Sequence, residues 1–199
     1  MKKSKLAMMI AVVFASLVLL PVQAMACACC SDENEYGINF RRPTQHERVL
    51  LGDMKFGASA HRGGGTADDV DEVFQLTGGM AGNTWKLNFR DGAKLATVTL
   101  ILPLKMLSYV VDPHTGQTSP GGGPMLYKEW RFEGRANATG FLRSGSAPTN
   151  YFLVFQGHGN RCDNAEDFSH WRLELKGPRV KYALTGELAK TTAQAAIAE

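Results

Sequence analysis

The chain has 199 residues with 22 basic and 19 acidic side chains, a formal net charge of +3. Its first 26 residues carry three of those bases and no acid, so the remainder is electroneutral and holds nothing like the basic stripe of a nucleic-acid binder. The roughly 170 residues that follow suffice for one domain with a true hydrophobic core and are short for two.

Residues 1–26 read as a cleavable secretory signal peptide. Lys2, Lys3 and Lys5 give a positive start, Leu6 to Leu20 an apolar run, and Ala24-Met25-Ala26 a small-residue cleavage site. The apolar run is shorter than the roughly 20 residues a helix needs to cross a bilayer. The working protein is therefore expected outside the cytoplasm, in a periplasm or secreted. A cysteine directly after the cut is where bacterial lipoproteins carry their lipid, but Ala24 stands where such signals usually have Leu. Membrane association is expected only if Cys27 is lipidated.

Residues 27–45 form a Cys-rich N-terminal segment. Cys27, Cys29 and Cys30 crowd into it, and Cys162 lies far along the chain. Outside the cytoplasm an even number of cysteines normally forms disulfides. Cys162 can take only one of the three, adjacent Cys29 and Cys30 would bridge under strain, and Cys27 and Cys30 have a C-x-x-C separation that closes. The simplest covalent solution is Cys29 to Cys162 with Cys27 to Cys30. It requires the N-terminal cluster to lie against the Cys162 loop, as a shared metal would.

Residues 46–186 are expected to be an all-β domain. Trp85, Leu87 and Phe89 alternate with Lys86, Asn88 and Arg90, the period of a strand with one face on a core. The same period fits Val98-Leu100-Leu102, Trp130-Phe132, Trp171-Leu173-Leu175 and Val180-Tyr182-Leu184. Strands are also predicted at Val49 to Phe56, Val73 to Thr77 and Tyr151 to Gln156. All 21 glycines follow the signal, and turns are expected from Gly78-Gly79 to Gly82-Asn83 and at Asp91-Gly92. Three strands from Val73 to Leu102 make an antiparallel meander. Ala60 to Asp71 and Val111 to Pro124 are expected to be long loops, and no amphipathic helix of ten or more residues stands out. Residues 187–199 read as a flexible or short helical tail. The fold class is a single antiparallel β-barrel or β-sandwich of about eight strands with long glycine-rich loops.

The cysteines also support a metal reading. Cys-x-Cys-Cys is a dense source of soft thiolates, which suit copper(I) or zinc, and imidazoles complete such sets. His158 follows a predicted strand and stands four residues before Cys162, and His170 precedes the next strand. The candidate metal ligands are thus Cys27, Cys29, Cys30, His158, Cys162 and His170. Asp163, Asn164, Glu166 and Asp167 crowd the same loop and would suit calcium, but the order of an EF-hand is absent, and a capped turn between two strands is the preferred reading of this composition. Cysteine, histidine and aspartate are also the residue types of a thiol nucleophile, its base and an orienting acid.

No phosphate loop, G-x-S-x-G, H-E-x-x-H or dinucleotide fingerprint occurs. His46, His61 and His114 are isolated in the sequence, and Trp85, Trp130 and Trp171 are expected in the core. Three functions fit: an exported protein that binds a small apolar ligand or a protein, a copper or zinc binder, and a thiol-dependent enzyme. The missing catalytic motifs favour binding over catalysis, with no nucleic acid as partner.

Overall fold

A computed structural model describes residues 37–63, 72–111, 126–143, 149–160, 163–178 and 180–189. The described chain runs β1 (Gly37–Arg41), α1 (Gln45–Asp53), β2 (Lys55–Phe56), β3 (Ser59–Arg62), β4 (Glu72–Ala81), β5 (Thr84–Asp91), β6 (Lys94–Ile101), β7 (Met106–Val111), β8 (Leu126–Ala138), β9 (Thr149–Gly159), β10 (Phe168–Gly177) and β11 (Val180–Ala189). Eight of these strands close an antiparallel barrel in the order β8, β6, β5, β4, β3, β11, β10 and β9, with β9 returning to β8. β1 falls within the expected Cys-rich segment, and β11 extends to Ala189, into the expected tail.

Period-2 burial builds the wall. Along β5, Trp85, Leu87 and Phe89 are buried while Lys86, Asn88 and Arg90 are exposed. The β4–β5–β6 meander forms as expected, with the Asp91-Gly92 turn opening on Gly92 at φ +56°. β4 runs on through Gly78 and Gly79, so the first turn narrows to Gly82-Asn83. Gly78 is required there, since a Cβ on its φ +127° backbone would lie 2.0 Å from the Lys86 carbonyl oxygen. The lumen is filled by aromatic rings: Trp85, Phe132 and Phe155 pack mutually, and Phe56 bridges Phe155 to Trp171. All three tryptophans are buried, as expected.

Two local expectations are corrected. Most of Val49 to Phe56, read as a strand, belongs to helix α1. Thr44 caps it in a reciprocal box: its hydroxyl accepts from the Glu47 backbone N–H at 3.2 Å, and the Glu47 carboxylate accepts from the Thr44 N–H at 2.7 Å. Leu50, Leu51 and Met54 then pack on the barrel core. The expected loop from Ala60 also begins as strand β3, which pairs with β4 on one side and β11 on the other.

β8 serves two neighbours on one edge. Tyr127 to Arg131 pair with β7, and Ala136 to Ala138 pair with β6. β7 and β1 therefore extend from the barrel as a two-stranded wing. At the fork, a Cβ on Gly134 would lie 2.8 Å from the Tyr151 ring, and the Tyr151 hydroxyl donates to the Ile101 carbonyl at 2.6 Å. Burial pushes that phenol's pKa upward.

Candidate functional site on the outer wall

Directly opposed residues share a face of a sheet. The registers trace two rows across the outside of the wing and barrel. One runs Ile38, Tyr109, Glu129, Gln156, His170, Glu187; the other runs Phe40, Leu107, Arg131, Val154, Arg172, Thr185, His61. The rows pass from an apolar end on β1, through an aromatic and charged middle, to a polar end on β10, β11 and β3.

The polar end holds a depression of about 580 Å³ lined by Ser59, His61, Gln156, His170, Arg172 and Glu187, among others. It arises where the first wall strand is interrupted. β3 pairs with Leu184 and Thr185, β2 pairs with Leu188 and Ala189, and Gly57 and Ala58 step between them. The Gly57 N–H donates to the Glu187 carbonyl at 2.8 Å, as does the Trp171 indole at 3.2 Å. A second depression of about 460 Å³ reaches Asp53, Met54, Glu166 and Phe168, and it shares Gly57, His170 and Glu187 with the first. A register shift between Phe168 and His170 adds one residue to β10 where the two meet. His170 thus stands between two hollows, with Ser169 Oγ 2.8 Å from its Nδ1. Arg172 donates to Glu174 at 2.6 Å, and the Lys176 ammonium, 2.7 Å away, holds the Glu174 carboxyl below its ordinary range against the opposing effect of burial.

In the middle of the rows, the nearly buried Glu129 accepts from the Tyr127 hydroxyl and from Arg131 Nε at 2.5 Å. Burial first, then this carboxylate, drives the Tyr127 phenol's pKa upward. The Tyr127 ring meets the rings of Tyr109 and His158 edge-on.

The loop before β10 is held from beneath by Lys128. Its side chain is 1% exposed, and its ammonium lies 2.8 Å from Asp167 Oδ2 and 3.9 Å from Asp163 Oδ1. Gly157 and Gly159 make this approach possible: a Cβ on Gly157 would lie 1.9 Å from the Asp167 carbonyl oxygen, and one on Gly159 2.1 Å from its carboxyl carbon. Asn164 caps the short 3-10 turn Ala165–Asp167, which makes this loop the capped turn its composition allows. Burial pushes the Asp163 carboxyl upward, with Lys128 pulling the other way. The His46 ring donates to the Asp163 carbonyl at 3.2 Å, tying the loop to α1. Asp163 and Asp167, candidate oxygen ligands in the sequence, are thus set against an internal lysine. In the sequence Lys128 reads as an ordinary strand residue; only the glycines at 157 and 159 hint at a close approach here.

His158 and His170, the described members of the candidate metal set, are both exposed on this outer wall. Gln156, the strand partner of His170, lies two residues from His158 on the same face. Cys27, Cys29, Cys30 and Cys162 lie outside the described residues, and with them the expected bridges and their closeness. Among the described residues no three His, Cys, Asp or Glu side chains group to hold a metal. His61, isolated in the sequence, is carried to the groove; His114 lies outside the described residues. No protein-family model, curated protein or solved structure matches the chain.

Proposed function

We propose that the chain is an exported binding protein that takes a small polar ligand on its outer wall, in the groove beside His170. The observation that carries this reading is the convergence of His61, Gln156, His170, Arg172 and Glu187 around one hollow, where donors and acceptors meet a partly apolar floor. The lumen favours a ligand less, because Trp85, Phe132 and Phe155 pack into it without exposure. The expected small apolar ligand is therefore replaced in this reading by one bearing carboxylate, hydroxyl or amide groups.

The test is a ligand-detected NMR screen of exported protein, whose intact mass should begin at Cys27, against sugars, carboxylic acids and amino acids. His170→Ala and Arg172→Ala should each weaken a hit about tenfold, the loss of one charge-assisted hydrogen bond, with unchanged melting temperature. A hit that binds both variants as tightly as the parent sinks the reading.

A copper or zinc site is the second reading. It is favoured by the shared outer face of His158 and His170, on strands bordering the segment that carries Cys162. It requires stoichiometric metal in protein purified from its own compartment, lost in His170→Ala. Protein that holds no metal and has no free thiols removes it.

A further inference from the structure

Given that the groove beside His170 is the ligand site, we propose that its ligand is a short peptide with both ends free, lying across His170 with its carboxylate at Arg172 and its ammonium between Asp53 and Glu166. The two hollows that meet at His170 differ in charge. Arg172 and His61 line the first, of about 580 Å³, beside Gln156 and Ser59. Arg172 donates to Glu174 at 2.6 Å, but Glu174 is also held by Lys176 at 2.7 Å, and the guanidinium carries further donors for a carboxylate. The second hollow, of about 460 Å³, is lined by Asp53, Glu166 and Glu187 and, among the described residues, by no lysine or arginine. The neighbouring Lys55 donates instead to the Gly52 carbonyl at 2.9 Å. Glu187 borders both hollows, opposite His170 at their junction.

Length and lining choose a peptide among molecules that carry two opposite charges. Phe168 in the second hollow and Arg172 in the first both lie on β10, roughly 10–13 Å apart along the strand once the extra residue at the register shift is allowed for. An extended chain covers at most about 3.5 Å per residue, so three or four residues span the two hollows and a single amino acid does not. Gln156 and Ser59 offer amide and hydroxyl partners to peptide groups. Met54, Phe168 and Leu188, all buried, give the second hollow an apolar floor for side chains. A sugar chain would meet the same amide and hydroxyl but would set no cation against Asp53 and Glu166.

Calorimetric titration of the full exported chain with tetraalanine, at neutral pH and low salt, tests this. Tetraalanine should bind. Acetylating its amine and amidating its carboxylate should each weaken binding about tenfold, one charge-assisted contact apiece, and alanine alone should bind at least about tenfold more weakly because it cannot reach both ends. The two losses should map to opposite ends of the site. Arg172→Ala should no longer distinguish the amide from the free acid, and the double variant Asp53→Asn, Glu166→Gln should no longer distinguish the acetylated from the free amine. All three side chains are exposed, so the variants should keep the parent's melting temperature. Blocked peptides that bind as tightly as the free one overturn the inference, as do penalties that persist in the variants. A sugar or simple carboxylic acid that needs His170 and Arg172 while tetraalanine fails to bind overturns the peptide and leaves the groove as the ligand site. Binding by none of them removes both.

Discussion

The β4–β5–β6 meander and the β8–β9–β10 wall belong to one barrel and obey alternation differently. In the meander, inward residues are apolar and outward ones face water: Trp85 and Leu87 are fully buried, and Lys86 between them is exposed. In the opposite wall burial continues on both faces. Lys128 points inward at 1% exposure, its neighbour Glu129 is 9% exposed on the outside, and Val154 beside it is 5% exposed. That wall is covered on one side by the Asp163–Asp167 loop and on the other by interlocked Tyr127, Glu129 and Arg131. A strand with one wet face needs only the right period. A strand with two dry faces needs partners for whatever polar groups it carries.

The largest test of this contrast uses tryptophans from the two walls. Trp85→Ala and Trp171→Ala should each cost about 3–5 kcal/mol in urea denaturation, because both rings are buried in the same aromatic core. The phenylalanine substitutions should separate them. Among the described residues the Trp85 indole nitrogen is a buried donor without a partner, whereas that of Trp171 donates to the Glu187 carbonyl. Trp171→Phe should therefore be the costlier by about 1 kcal/mol, the worth of one hydrogen bond. Equal costs would mean that the two indoles sit in equivalent polar surroundings.

Lysines sharpen the comparison further. Lys128→Met should destabilise by about 3 kcal/mol, since it leaves Asp167 partly buried opposite an apolar side chain. Lys86→Met, one wall away, should change stability by less than about 0.5 kcal/mol. Thermal unfolding of the two variants decides the matter, and similar shifts would contradict the two-layered burial of β8.

A smaller effect than at Lys128 is expected at α1. Burial alone would raise the Glu47 pKa, but the Arg41 guanidinium, bonded at 2.5 Å through both nitrogens, and the Thr44 cap together hold it below the ordinary carboxylate range. A carboxyl with a lowered folded-state pKa adds stability above its unfolded value, and that contribution disappears as pH falls through the folded one. Glu47→Gln should cost about 1–2 kcal/mol at neutral pH, and the gap to the parent should close on acidification below about pH 4. A gap constant from pH 7 to pH 2 would show that the charge of Glu47 contributes nothing.

This contrast also decides what the sequence can reveal. The meander is legible because the inward period of β5 and β6, the Asp91-Gly92 turn and the outward charges of β5 point the same way, although β4 runs past the expected Gly78-Gly79 turn. The helix escapes a period-based reading because Val49, Leu50 and Leu51 resemble a strand, although Thr44-Gln45-His46-Glu47 spells a capping box just before them. β3 is hidden because Ser59 to Arg62 has a single buried residue, Ala60, to betray its period. The groove is not legible, because His61, Gln156, His170 and Glu187 come from four strands and meet only through register. His170 alone stands out in the sequence, and for its closeness to Cys162 rather than for its place between two hollows.

The seam of the barrel sets the order of its assembly. β11, the last strand described, pairs with β3 near the other end and with β10 beside it, so the ring stays open until residues 180–189 are available. During synthesis at about 5–20 residues per second, β3 must wait for a partner more than a hundred positions away. Pairings of such high contact order form slowly. An open, slow-closing ring also leaves the inner faces of its strands uncovered, so the aromatic core that holds Trp85 and Trp171 is sealed only when β11 has joined both β3 and β10.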